Sequence, residues 1–182
     1  NSHKVAEISN MNYLKGRPLA YNTQAVLAGD SIVLYDEISL FDVETKTQKK
    51  IKIDKWQDQL TRVLHSDTKN NKLFLERRTR RNNILEVCDV NLKTGDVKVI
   101  IHEEGDPYIG IELASIHFIN NYNDIIWWSE RTGYGHFYHY DGDGNLKNVI
   151  TSGPWVAGHV VEIDTINRKL WLYGHGKEKN VD

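Results

Sequence analysis

The chain has 182 residues, enough for one domain with a substantial core and too few for two large ones. Hydrophobic residues make up 40% and charged residues 26%, a balance that excludes an intrinsically disordered chain. A formal net charge of −2 gives no electrostatic reason for nucleic acid or an anionic membrane as partner, and no apolar run reaches the length of a membrane span.

The first twenty residues, NSHKVAEISNMNYLKGRPLA, lack the basic start, apolar run and small-residue cleavage site of a signal peptide. Beyond them, short β-branched and aromatic runs alternate with Asp, Asn, Gly and Lys-Thr turns, which predicts an all-β domain. Strands are expected over 31–36, 38–43, 49–53, 72–78, 84–90, 96–101, 124–130, 136–141, 146–150 and 169–174. Turn chemistry joins many of them: ETKT at 44–47, NLKTGD at 91–96 and DGDGN at 141–145. The single cysteine, Cys88, lies in a strand-like LEVCDV context. It permits no internal disulfide and no cysteine zinc cluster, and the role expected of it is that of a small buried hydrophobe.

Three segments share one plan, an apolar strand ending in Asp, a polar turn and a second apolar strand: SLFDVETKTQKKIKI, VCDVNLKTGDVKVII and YHYDGDGNLKNVI. The pivotal aspartates are Asp42, Asp89 and Asp141, 47 and 52 residues apart. A period of about 50 residues with several strands per unit is the size of a β-propeller blade. The expected architecture is a single partial propeller of about three to four blades, running over 20–53, 58–101, 111–150 and 157–182. Propellers close their ring with about four to eight blades, so the chain is expected to be a piece of a larger ring or to pair with a second copy. A β-sandwich is the competing all-β architecture, but it does not predict the period.

The stretch IIWWSERTGYGHFYHYDGDGNL at 125–146 concentrates chemically suggestive residues. His136 and His139 are three apart, so on a strand they point to opposite faces and cannot share a metal. Asp141, Asp143 and Asn145 match the opening of a calcium loop, yet Ser152 stands where its bidentate Glu belongs, and a tight turn explains the same residues. HEEGD at 102–106 lacks the second histidine of a zinc-protease motif. No metal and no cofactor is expected. Trp127 and Trp128 should face opposite sides of the sheet and pack between blades, an aromatic carbohydrate platform being the alternative. The basic run Arg77-Arg78-Thr79-Arg80-Arg81 reads as a solvated edge with one or two structural salt bridges.

These residues resemble the N-terminal β-propeller of dipeptidyl peptidase IV-type serine peptidases, in the prolyl oligopeptidase family. An Arg-x-x-Arg-x-x-Asn segment fits Arg77, Arg80 and Asn83. A Trp-x-Ser-Glu-Arg-x-Gly-Tyr-x-His hairpin fits Trp127, Ser129, Glu130, Arg131, Gly133, Tyr134 and His136, and is followed by Tyr140, Asp141, Asp143 and Gly144. Thr151, Gly153 and Trp155 approach a third segment. The resemblance implies a propeller that gates and positions peptides for an α/β-hydrolase domain in the parent chain, and a periplasmic or extracellular location. No catalytic residue is expected here: there is no G-x-S-x-G elbow, and GDSIV at 29–33 has Val33 in place of its second glycine. Where the family carries a site arginine, this chain has Tyr108-Ile109-Gly110-Ile111-Glu112-Leu113, which implies altered amine recognition and leaves Tyr108 and Glu112 as candidate substrate contacts. The rival readings are a standalone propeller-like assembly domain and a carbohydrate-binding propeller.

Overall fold

The computed structural model describes residues 6–12, 16–17, 19–25, 36–112 and 114–176, in two compact units, 1–36 and 37–182. The strand expected over 31–36 lies, but for Asp36, outside the described residues, as does GDSIV. Every described element is a strand, and every pairing is antiparallel. No helix among the described residues is long and apolar enough to cross a membrane.

The first unit holds a hairpin, β1 (Ala6–Asn12) against β2 (Leu19–Ala25), with Ser9 donating to Asn22 across it at 2.7 Å. In the second unit a hairpin of β3 (Ile38–Asp42) and β4 (Thr47–Ile51) comes first. A four-stranded meander follows, β5 (Leu60–Asp67), β6 (Lys72–Arg78), β7 (Ile84–Asn91) and β8 (Val97–Glu104). A second meander has the same order, β9 (Ile116–Ile119), β10 (Asp124–Ser129), β11 (His136–Asp141) and β12 (Leu146–Val149). The last sheet is the hairpin of β13 (Val156–Asp164) and β14 (Lys169–His175). The all-β partial propeller expected from the sequence is what the chain forms. Strands β1, β2, β5, β9 and β13 are not among those expected: the first two mix apolar and polar residues without a clean alternation, β5 is mixed and half exposed, β9 has four residues, and Gly158 interrupts β13.

The turns correct the repeat. Asp42 accepts the Glu44 and Thr45 amides at 3.0 and 2.8 Å, and Asp141 accepts those of Asp143 and Asn145 at 3.0 and 2.8 Å. The matching acceptor in the middle segment is Asn91, which takes the Lys93 and Thr94 amides at 2.9 and 3.1 Å. Asp89 lies two residues earlier inside β7 and pairs with Lys72 instead. A carboxylate and a carboxamide offer the same oxygen to the backbone, so the Asx turn tolerates either. Each turn then needs a left-handed residue, supplied by Lys46 (φ 55°), Gly95 (φ 80°) and Gly144 (φ 92°).

Alternation along the strands splits the core into three layers. Leu73, Leu75, Cys88 and Val90 face Ile51 and Ile53. The opposite face of the same sheet sends Phe74, Leu85 and Val87 against Ile125, Trp127 and Tyr138. Trp128, Ile126 and Phe137, on the far face of the second meander, meet Ala157, Val160, Leu170 and Leu172. The two adjacent tryptophans therefore serve two different cores. Cys88 is fully buried, and burial pushes its thiol up to about 11.

Candidate functional site

Residues from 103–109 and 127–133 line a cavity of about 330 Å³ where the first meander hands over to the second. On β8 the strand alternation turns Glu103 inward and Glu104 outward. Glu103 is 6% exposed and accepts hydrogen bonds from Trp127 Nε1 at 2.8 Å and Ser129 Oγ at 2.9 Å. Arg131, carried back by the turn that Gly133 (φ 86°) permits, pairs with Glu103 and donates from Nε to Ser129 Oγ at 2.9 Å. Its guanidinium lies 4.3 Å over the Tyr138 ring. Burial opposes the charge on Arg131, but Glu103 and Tyr140 beside it hold the guanidinium above its ordinary value. Glu130 turns the other way and accepts the Gly110 amide at 2.6 Å, clamping the 105–112 segment to the hairpin.

Tyr108 lines this cavity and is 63% exposed, so its ring is available to a ligand. Glu112 is exposed and does not line it, so the two candidate substrate contacts are not brought together. Tyr134 is exposed at the hairpin tip. His136 is buried, with Nε2 donating to the Gly153 carbonyl at 2.9 Å and Nδ1 facing Thr151 Oγ1 at 3.1 Å. Trp155 packs edge-on against it at 5.4 Å and donates to the Ser152 carbonyl. Asp141 closes the β11–β12 turn. His139 faces away from His136 and bonds Asp124 at 2.6 Å, where Asn120 and Lys147 also hold that carboxyl well below the usual carboxylate range.

Arg77 belongs to a separate network. Arg77 is 8% exposed, pairs with Glu86 at 2.7 Å and donates to the Ile53 carbonyl at 2.9 Å. It is thus a buried tie between sheets rather than part of a solvated edge. Burial works against ionisation of Glu86, yet Lys55, Arg77 and His102 together keep its carboxyl below the ordinary value. Arg80 lies in the β6–β7 turn, and the Asn83 carbonyl accepts the Gly105 amide at 2.9 Å.

Sequence reasoning met Glu103 and Glu104 only within HEEGD, as a mismatch to a zinc-protease motif. The signal was the alternation of β8, which buries one carboxylate beside a tryptophan N–H. Among the described residues no group of three or more His, Cys, Asp or Glu is placed to hold a metal ion. Inside the cavity Glu103 and Arg131 are committed to each other.

Residues 18–180 match the dipeptidyl peptidase IV (DPP IV) N-terminal region. Among solved structures, the chain is similar to Porphyromonas gingivalis dipeptidyl peptidase 4, with a TM-score of 0.70 and 22% identity, over 88% of this chain and 23% of that one. It is also similar to a putative dipeptidyl aminopeptidase IV from Bacteroides ovatus, with a TM-score of 0.71 and 16% identity, over 93% of this chain and 27% of that one. The chain spans about a quarter of the length of these two proteins. With the family pattern matched across most of its length, the chain belongs to the N-terminal region family of DPP IV-type peptidases.

Proposed function

We propose that this chain is the propeller portion of a DPP IV-like serine peptidase, gating and positioning peptide substrates for an α/β-hydrolase domain elsewhere in the parent protein. The match over residues 18–180 carries this reading. Its blades run over 20–53, 58–101, 111–150 and 157–182, and its setting is periplasmic or extracellular. Tyr108, mounted on a segment clamped by Glu130, is the contact best placed to touch a passing peptide, with Glu112 further along the same segment. A rigidly mounted loop selects by size and shape rather than by chemistry. A fluorophosphonate probe for activated serines should label the parent protein and leave the 182-residue chain unlabelled; an unlabelled parent overturns the proposal. In a parent that turns over dipeptide anilides, Tyr108→Ala should raise KM several-fold with kcat little changed, the signature of lost binding.

A second reading, an assembly domain, draws on the outer face of the last hairpin. Val161, Trp171 and Tyr173 are exposed there, and among the described strands β14 pairs only with β13. An open edge beside exposed aromatics favours a second copy. Light scattering across a concentration series would show a dimer if this surface associates.

A further inference from the structure

A cavity of about 820 Å³ lies between the first strands of the two meanders, along β5 at Arg62–His65 and along β9 and its turn. Among its described lining residues none is Asp or Glu, although the chain carries 25 acidic residues and the cavity at Glu103 has acids in its wall. Arg62, His65 and His117 line it instead.

Three carboxylates bond residues of this lining, and all are already engaged: Glu76, Asp67, and Asp124, which accepts from Asn120 at 2.7 Å and from Lys147 at 2.7 Å. Glu76 is 1% exposed and is shared by Arg62 and Arg78, each at 2.6 Å, which leaves the trio with a net positive charge. Arg62 remains 55% exposed, and a guanidinium has five donors. Asp67 accepts from Asn70 at 2.7 Å and from the Tyr122 hydroxyl at 2.9 Å. Because that hydroxyl donates to Asp67, its oxygen takes the Nε2–H of His65 at 2.8 Å. His117 has a buried Nε2 with no hydrogen-bond partner, an uncommon state for an imidazole nitrogen. Among the described strands β5 pairs only with β6 and β9 only with β10, so both present unpaired backbone to the cleft. An extended chain adds to such an edge through its own amides and carbonyls.

We infer that this cleft is a carboxylate-accepting site for an extended peptide, with Arg62 as the charge partner and the His65 and His117 rings flanking it. The ligand class rests on the peptide-handling reading above. A neutral peptide gains only the strand edge; one bearing a carboxylate also gains a charge-assisted bond. Whether the carboxylate is a side chain or a C-terminus is decided by the ligand set.

The test titrates the 182-residue chain with four probes: an acetylated pentapeptide with a free C-terminus, its amide, the amide with one internal glutamate, and inorganic phosphate. At least one carboxylate-bearing peptide should bind, roughly tenfold more tightly than the neutral amide and less so as salt rises. Val63→Glu adds a negative charge to the cavity wall at a half-exposed position while leaving the Arg62–Glu76 pair intact, and should abolish that preference. Arg62→Gln should weaken binding similarly, with near-UV circular dichroism reporting retention of the fold. Equal binding of the neutral amide, an unaltered V63E, or binding of phosphate without either carboxylate peptide overturns the assignment. The readout needs no hydrolase, so failure of the peptidase reading in the parent and failure of this site are separate outcomes.

Discussion

At the residue scale, charge burial decides most of what the candidate site can do. Glu103 is buried but makes three hydrogen-bonded contacts, so its charge is matched rather than stranded. Removing one member of such a set leaves the others uncompensated. Glu103→Ala should cost about 3–5 kcal/mol in urea unfolding, and the Glu103→Ala/Arg131→Ala double variant less than the sum of the single ones. Lys46 poses the opposite case: a side chain held at φ 55° where the equivalent turns use glycine. Lys46→Gly should stabilise the fold by about 1 kcal/mol, seen as a raised midpoint at unchanged slope. Gly144→Ala should destabilise it, since a Cβ there would stand 2.2 Å from the Ile100 carbonyl oxygen.

At the element scale, the Asx turns share one titration behaviour. Hydrogen bonds from backbone amides and neighbouring side chains hold Asp42, Asp141 and Asp164 below the ordinary carboxylate value. A depressed folded value contributes stability that is present above the unfolded value, about 3.9, and is lost as pH falls through the folded one. The triple variant Asp42→Asn/Asp141→Asn/Asp164→Asn should therefore flatten the acid limb of a Tm-against-pH profile, leaving Tm at neutral pH little changed. Asn91 already shows that a carboxamide can hold this turn. The same turns explain what could be read in advance. Strands with buried β-branched faces and Asx-Gly punctuation, such as 84–90 and 136–141, announce themselves. β5 does not, because Arg62, Val63, His65 and Ser66 are exposed and its bulge between Val63 and His65 breaks the period. The Asp89 register failed for a related reason: two candidate acceptors stand two residues apart, on the same face, and only hydrogen-bond geometry distinguishes them. The hairpin signature was legible as a pattern, but the convergence of Glu103 on Trp127, Ser129 and Arg131 depends on contacts between meanders that local sequence does not encode.

At the scale of the whole second unit, hydrophobic contact passes from sheet to sheet. Each meander has one core on either face, and the tryptophan pair divides its two rings between them. Trp127→Ala should cost about 3–5 kcal/mol by emptying the layer between the meanders. Hydrogen exchange in that variant should rise in β6, β7, β10 and β11 before it rises in β14.

Because each of these four sheets has at most two packing neighbours, the second unit has the energetics of a linear array. Its stability is approximately a sum of sheet terms and nearest-neighbour interface terms, rather than the property of a single nucleus. Melting in such an array advances inward from the ends, and the last boundary to yield is the one holding Phe74 against the second meander. A truncation at the β13–β14 end therefore shortens the array without dissolving the remainder.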